Sequence, residues 1–378
     1  MEQVTTDSKH LNALRMLDDF LRAKGLSLSE PTGLDRFLKE LSEILPKHKA
    51  NTALLHGFRA QTMFAYFAAA LGGCKIINEE DSGEFYLAAQ GFKRPDFRLL
   101  PHSGQDFFVE VKNFHRSDTE APYVLQSEYA TCLQNYADAF QKPLLFAIYW
   151  ARWQNWTLTP LADFSRVGET YSISLPEAIK HDQKRLLGDC LIGIAKPLAL
   201  RLYTDPAHPR KLTPSGQVQF TVQRAAFYAA GREITDKFEK RLAWFFLRYA
   251  QWEDIQQIPH IEGGEVICME FRGEREDPNP QQAFLMVGPL SQMISRQFNE
   301  LTVDDGKIQH LSPAIQPGKL GVLIPAGFVG DVLGIWRFTV QPDQPVVGPS
   351  QGAAESSDEA TTSQRPDPPL NQTNRPQA

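Results

Sequence analysis

The stretch "KRPDFRLLPHSGQDFFVEVKNF", residues 93–114, decides the fold of this chain. It contains two short apolar runs that are joined by a turn-like segment, "PHSGQ". Asp96 lies in the first run, and Glu110 and Lys112 lie in the second. A charge that is taken out of water is costly unless it is paired or bound to a metal. The stretch therefore predicts either that these side chains lie on a solvated sheet face or that a ligand binds there.

The second run has the period of two that is typical of a β-strand. This period places Glu110 and Lys112 side by side on one face of the strand. The opposite face is entirely apolar and is expected to pack on the core; it consists of Phe107, Val109 and Val111. The first run begins with Pro95 and Asp96, and the residues between the two runs leave room for a hairpin. If the runs pair, Asp96 approaches Glu110.

This approach of two carboxylates favours a divalent cation between them, because like charges at one point of a sheet repel each other. Mg²⁺ suits such a pair, since it takes one or two protein carboxylates and keeps waters or substrate phosphate as its other ligands. A lysine beside the ion can orient or deprotonate an attacking water, or stabilise charge on a phosphoryl oxygen. Asp96, Glu110 and Lys112 together therefore indicate hydrolysis of a phosphodiester bond.

These residues resemble the PD-(D/E)xK nuclease superfamily, which includes many restriction endonucleases, Holliday-junction resolvases and repair exonucleases. The family pattern is an acidic residue on one strand of a hairpin, followed by Glu-x-Lys on the next strand. Pro95-Asp96 matches the first part, and Glu110-Val111-Lys112 matches the second. The resemblance implies that Asp96 and Glu110 bind Mg²⁺ or Mn²⁺ with help from the carbonyl of Val111. It also implies that Lys112 is catalytic and that the substrate is DNA.

The resemblance covers about residues 50–155 and includes two departures from the family pattern. The family often adds a Glu from the helix upstream of the hairpin, where this chain has Gln61. An amide oxygen can hold a metal-bound water but is not a charged ligand, so Gln61 is kept as a candidate catalytic residue. Some members carry Gln-x-x-x-Tyr on the following helix; here Tyr129 comes one residue too early after Gln126, so that motif is not carried over.

Two other interpretations of the motif stay open. Glu110 and Lys112 could form a same-face ion pair on an exposed sheet, and such a pair contributes only about 0.2–1 kcal/mol. Alternatively, the chain could keep a nuclease-like fold and bind nucleic acid or a protein without cutting anything. Gln61 in place of an acid favours this second interpretation.

Basic and aromatic side chains near the motif are candidates for contacts with DNA. The candidates for phosphate contacts are Lys93, Arg94, Arg98, His115 and Arg116. Solvated loop charges are an equally good interpretation of these residues, and Arg98 could instead pair with Asp96. The segment "YWARWQNW", residues 149–156, could stack on the bases of a single strand, but packing at the end of a strand is the favoured interpretation.

Around the motif, the periodicity and the turn signals predict an α/β fold. The expected architecture is a restriction-endonuclease-like core of helix, mixed sheet meander, helix and strand, with N-terminal helices before it and a second, α+β region after it. Helices are predicted over 10–24, 33–45 (ended by Pro46), 51–73, 121–140 and 238–252, and strands over 75–78, 84–88, 143–150, 265–273 and 319–327.

The same signals predict four segments along the chain. They are an N-terminal helical segment over 1–50, a nuclease-like domain over 51–190, an α+β domain of unknown role over 191–340 and a tail over 341–378. The tail is rich in Pro, Gln, Ser and acid, and it has too few apolar residues to offset the entropy of ordering, so it is predicted to be disordered.

Composition limits the partners and the compartment. The net charge of the 378 residues is -6, so contacts with nucleic acid must come from local basic patches. The four cysteines form no CxxC pair, which argues against a zinc site and for a reducing compartment. The N-terminus does not resemble a signal peptide, and no apolar run approaches the roughly 20 residues that span a bilayer. A cytoplasmic protein without a membrane partner is expected; by the family resemblance it is a homodimer or works with a partner subunit.

Overall fold

A computed structural model of the chain describes residues 8–81, 85–88, 90–116, 118 and 120–341. The predicted tail lies almost entirely outside these residues. The strand predicted over 84–88 is wrong for its described part, because Phe85–Ala88 has no strand pairing, and Glu84 is outside the description. Within the described residues, no helix combines the length and apolar character that crossing a bilayer requires.

Three helices open the described chain: α1 Ser8–Ala23, α2 Gly33–Ala50 and α3 Thr52–Leu71. The first two pack on each other through Phe20 and Phe37, whose ring centroids are 5.4 Å apart. The prediction that Pro46 ends α2 is wrong, because Pro46 lies inside the helix. A proline removes one backbone hydrogen bond, but the N–H groups of the following residues can still bond one turn back.

The bounds of α3 follow from its capping residues. The side chain of Asn51 accepts a hydrogen bond from the Leu54 N–H at 3.1 Å, which satisfies one of the free donors of the first turn. Gly72 ends the helix with a φ of +74°, the left-handed conformation that glycine adopts at little cost. The sequence predicted both ends correctly.

A five-stranded mixed sheet forms the centre of the region that carries the motif, in the order β1-β2-β3-β5-β6. Strands β1 to β3 form an antiparallel meander, β5 runs parallel to β3, and β6 is antiparallel to β5. The elements from β1 to β6 are β1 Cys74–Glu79, β2 Phe97–Pro101, β3 Phe107–Phe114, β4 Tyr123–Gln126, α4 Ser127–Ala139, β5 Leu144–Trp150 and β6 Asn155–Pro160.

Helices cover both faces of this sheet. Phe64 and Phe67 of α3 belong to the same buried cluster as Val109 of β3, while Leu133 of α4 belongs to the cluster that contains Phe108. All seven residues of β5 are buried, as the sequence predicts for a central strand covered on both sides. The mixed α/β architecture of the prediction is therefore present.

The helix predicted over 121–140 is shorter than expected. Its first residues form β4, which pairs with β8 in a small separate sheet. Tyr123 and Val124 suit an extended strand, and their backbone groups bond to a neighbouring strand instead of along a helix. As a result, α4 begins at Ser127 and its first turn lies beside β3.

The remainder of the chain is an α+β region. Its described residues form two larger sheets, in the orders β12-β11-β10-β14-β13 and β15-β9-β18, and the two-stranded sheet β16-β17. The strand predicted over 319–327 is absent, because Gly321 has a φ of +69° and Pro325 lacks an N–H, so neither suits an extended ladder.

The elements are β7 Ser165–Val167, β8 Thr170–Ile173, α5 Leu175–Lys180, β9 Leu191–Ala195, β10 Leu198–Thr204, β11 Val222–Ala229, β12 Arg232–Glu233, α6 Lys237–Tyr249, β13 Asp254–Glu262, β14 Glu265–Glu274, β15 Phe284–Pro289, α7 Leu290–Thr302, β16 Val303–Asp304, β17 Lys307–Ile308 and β18 Ile335–Phe338.

One buried apolar cluster extends from α3 to α7 and β18. Tyr66 and Phe298 meet across it with ring centroids 5.6 Å apart, and the indole N–H of Trp156 donates to Ser295 Oγ at 3.1 Å. The nuclease-like region and the C-terminal region therefore share packing, and the domain boundary near residue 190 stays a prediction.

Substitution of Gly73, which follows α3, tests this packing. A Cβ on Gly73 would lie 2.1 Å from the carbonyl carbon of Leu187, so we expect Gly73→Ala to lower the free energy of unfolding by about 1–3 kcal/mol. Gly57→Ala is the matched control, because a Cβ there meets nothing within 4 Å and alanine favours the helix by up to about 1 kcal/mol. Urea unfolding measures both variants; equal stability of the two would contradict the close approach.

Candidate active site

The register of the β2–β3 hairpin sets the position of the two acids. Phe97 pairs with Val109 and Arg98 pairs with Phe108, so continuing the register by one residue sets Asp96 opposite Glu110. Both side chains are buried, at 7% exposure for Asp96 and 2% for Glu110. The sheet thus brings together the two carboxylates that the sequence placed on neighbouring runs.

Asp96 is held by one bond to each of its oxygens. Gln61 Nε2 donates to Oδ1 at 2.6 Å, and the backbone N–H of Val111 donates to Oδ2 at 2.6 Å. Burial, followed by the repulsion of Glu110, raises the pKa of Asp96 to about 7, although the Val111 N–H and the charge of Lys112 oppose this rise. Near neutral pH, this carboxyl group is therefore close to its midpoint of ionisation.

The two oxygens of Glu110 have different surroundings. Oε1 accepts a hydrogen bond from Lys112 Nζ at 2.6 Å and another from the hydroxyl of Tyr129. Oε2 is buried and has no hydrogen-bond partner. An unpaired oxygen on a buried carboxylate costs free energy, so this atom calls for a bound water or cation.

Tyr129 belongs to this site, although the sequence analysis did not include it. Its hydroxyl accepts from Lys112 Nζ at 2.9 Å, and Nζ also lies 4.4 Å from the centre of its ring. Burial and the neighbouring Glu110 raise the pKa of Tyr129, which keeps the phenol protonated as a donor. Tyr129 is in the first turn of α4, whereas Gln126 lies before the helix and is exposed. A tyrosine near the start of the helix that follows β3 would therefore have been enough to identify this residue, without the glutamine of the family motif.

Two side chains of the site could hold a metal ion. Asp96 and Glu110 offer carboxylate oxygens, and Oε2 of Glu110 is buried without a hydrogen-bond partner. Mg²⁺ is commonly bound by one or two carboxylates together with waters and phosphate oxygens. Within the described part of the chain, no group of three or more His, Cys, Asp or Glu side chains gathers for a metal that needs a full protein cage. The role of the Val111 carbonyl stays a prediction.

The basic residues before and within β2 are engaged with neighbours in different ways. Arg98 bonds to Asp106 through Nε at 2.8 Å and Nη2 at 2.5 Å, so the alternative that it pairs with Asp96 is wrong. Asp106 directly precedes β3 in the same hairpin, whereas both oxygens of the buried Asp96 are already bonded to Gln61 and the Val111 N–H. Lys93 Nζ lies 5.1 Å from the centre of the Tyr129 ring, and Arg94 donates to a backbone carbonyl at 3.1 Å. Phosphate contacts by these residues stay predictions.

The two basic candidates that follow β3, His115 and Arg116, lie next to the carboxyl-terminal end of this strand. His115 packs against His56 with ring centroids 4.8 Å apart, and Arg116 is exposed. Of the nearby tryptophans, Trp150 and Trp156 are buried in the core and agree with the packing interpretation, whereas Trp153 is 48% exposed.

Comparisons with known proteins add little to this geometry. No protein-family model matches the chain, and no curated protein matches it. Among solved structures it is similar to Hjc, a Holliday junction resolvase from the archaeal hyperthermophile Archaeoglobus fulgidus, at 20% sequence identity. The match covers 25% of this chain and 77% of the resolvase, with a TM-score of 0.20. The resolvase is a weak structural neighbour, and no argument is drawn from the match.

The raised pKa of Asp96 predicts a pH-dependent stability. Because the folded-state pKa of about 7 lies above the ordinary value of 3.8, the folded state binds more protons between these values, and stability falls as pH rises through this window. We expect the slope to reach at most about 1.4 kcal/mol per pH unit. Asp96→Asn should flatten the urea-unfolding free energy between pH 5 and 8, whereas the exposed Asp138→Asn should leave the slope unchanged. Equal slopes in all three proteins would contradict the assignment.

Proposed function

We propose that the chain hydrolyses phosphodiester bonds of DNA with the help of a divalent cation, Mg²⁺ or Mn²⁺, held by Asp96 and Glu110. The observation that carries the proposal is the buried, unpartnered Oε2 of Glu110 next to a second buried carboxylate whose pKa it raises. A cation would satisfy the free oxygen and remove the repulsion between the two groups. The residue pattern that resembles PD-(D/E)xK nucleases supports the same chemistry.

The residues of the site have separate roles in this proposal. When bound, the divalent ion supplies a Lewis acid and a template for the phosphate. Lys112 lies beside both Glu110 and Tyr129, where its ammonium group can orient the attacking water or stabilise charge that develops on a phosphoryl oxygen. Tyr129 holds Oε1 of Glu110 and Lys112 together, so it is a positioning residue. Gln61 positions Asp96 through the bond to Oδ1.

The proposal also assigns roles to the regions around the site. We propose residues 51–190 as the catalytic domain and residues 191–340 as a region for substrate recognition, dimerisation or a partner subunit. DNA contacts by Lys93, Arg94, Arg98 and Arg116 would lie beside the site, although Arg98 would have to leave or share its bond to Asp106. These assignments rest on the resemblance and on position in the fold.

The direct test is cleavage of plasmid and branched DNA in the presence of Mg²⁺ or Mn²⁺. We expect cleavage by the unchanged protein and a loss of at least about a hundredfold in Asp96→Ala and Lys112→Ala, because each removes a charge from the reacting centre. Lys180→Ala is the control, since this lysine is exposed on α5. Cleavage that survives in both site variants would rule out the assignment.

A second candidate function is binding without cleavage, and one observation favours it. Gln61 places an amide donor on Asp96, and Lys112 already neutralises one oxygen of Glu110, so protein groups satisfy three of the four carboxylate oxygens without a metal. A protein of this kind would bind nucleic acid or a partner protein through a nuclease-like fold and would have no use for a metal.

Calorimetric titration with Mg²⁺ and Mn²⁺ separates the two functions. The hydrolase requires metal binding that is lost in Glu110→Gln, since the neutral amide removes the charge that attracts the cation. The exposed Glu128→Gln on α4 is the control. Absence of any metal-dependent heat in the unchanged protein would favour the binding function instead.

A further inference from the structure

A second cluster of polar side chains surrounds a cavity of about 150 Å³ at the other face of β3. The cavity lies between the N-terminal half of α3 and the carboxyl-terminal ends of β3 and β5. Its walls include His56 and Arg59 of α3, Asn113 and His115 from the end of β3, and Tyr149 of β5. No residue that lines the cavity is acidic.

Arg59 is a buried cation without a carboxylate partner. Its side chain donates to Thr302 Oγ1 at 3.2 and 2.9 Å and to Asn299 Oδ1 at 2.5 Å, and all of these acceptors are neutral. No carboxylate pairs with it anywhere in the described ranges, and the residue is only 7% exposed. A guanidinium group does not give up its proton in a protein, so its positive charge remains at the cavity wall. Its other neighbour is the ring of Phe298, whose centre lies 5.3 Å from the guanidinium carbon and which carries no net charge.

The other polar groups of the cavity also lack a partner of negative charge. The rings of His56 and His115 lie 4.8 Å apart, and burial together with the nearby positive groups lowers the pKa of both imidazoles. Asn113 donates to the carbonyl of His56 at 3.3 Å, while its own Oδ1 is buried without a partner. An anion that brings a water or hydroxyl would relieve the repulsion and satisfy the amide oxygen.

We propose that this cavity binds a phosphate group of the nucleic-acid strand that the site cleaves, either an internal phosphodiester or a terminal phosphate. The volume is large enough for an anion with a few water molecules, since one water occupies about 30 Å³. Asn113 follows Lys112 directly on β3, and Arg59 precedes Gln61 by two residues on α3, so the cavity and the carboxylate site are built on the same strand and the same helix. The nucleic-acid part of this inference rests on the proposed function; the anion site does not.

Titration with inorganic phosphate tests the anion site alone. The imidazole proton–nitrogen signals of the histidines are followed by NMR at pH 7 and constant ionic strength, with His56→Gln and His115→Gln for assignment. We expect the His56 and His115 signals to move with saturation, while that of the exposed His208 stays in place. The response should be lost in Arg59→Met, whose fold is checked by urea unfolding. Signals that do not move, or that all move together without saturation, would overturn the site.

DNA binding then identifies the source of the phosphate. Affinity is measured without metal for the unchanged protein, His115→Ala and the control His208→Ala, with oligonucleotides that carry either a 5′ phosphate or a 5′ hydroxyl. We expect His115→Ala to weaken binding about tenfold, because the variant lacks the imidazole N–H that would donate to the phosphate. An equal loss for both oligonucleotides identifies an internal phosphate, and a loss confined to the phosphorylated one identifies a terminal phosphate. Unchanged affinity in His115→Ala for both would overturn the role in DNA binding.

Failure of this inference and failure of the proposed function are separate results. If the cavity does not bind phosphate, His115→Ala should still cleave DNA as the unchanged protein does, while Lys112→Ala remains inactive. If the chain is not a hydrolase, inorganic phosphate should still saturate the His56 and His115 signals although no DNA is cut.

Discussion

The burial of two carboxylates opposite each other in the β2–β3 hairpin is the constraint on which the rest of the site depends. Three of their four oxygens are satisfied by the protein, through Gln61, the Val111 N–H, and the shared contact of Lys112 and Tyr129 with Glu110. The fourth oxygen has no partner. Buried polar atoms in proteins are nearly always paired, so this unpaired carboxylate oxygen is the feature of the site that the proposed cation would satisfy.

The same hairpin separates two regions of opposite charge. On the α4 side of β3 the carboxylates attract a cation, and at the strand end on the α3 side Arg59, His56 and His115 attract an anion. A nucleic-acid strand with its counter-cations carries both kinds of charge along its length, so the two proposed sites together would match its electrostatics better than either site alone.

The sequence was sufficient to predict the elements whose local signals agree with the tertiary structure. Asn51 and Gly72 fix the ends of α3, and the continuous apolar run of β5 predicts a strand buried on both faces. The alternation in β3 predicts which side chains share a face with Glu110.

Other features depend on partners that no local pattern reveals. Helix α4 begins later in the chain than predicted, because Tyr123–Gln126 pairs with a strand more than forty residues later, at Thr170–Ile173. This displacement brings Tyr129 onto Lys112 even though its spacing from Gln126 does not match the family motif. Likewise, the sequence offered Asp96 or DNA as the partner of Arg98, and the closed hairpin pairs it with Asp106 instead.

Helix α3 joins the carboxylate site to the C-terminal region of the chain. Arg59 bonds to Asn299 and Thr302 of α7, and two residues further along Gln61 donates to the carboxylate of Asp96. Because Arg59 and Gln61 lie within one turn of the same helix, the position of α7 constrains the amide that holds Asp96. The placement of this acid therefore depends on the folding of a segment that lies 240 residues beyond Arg59 in the sequence.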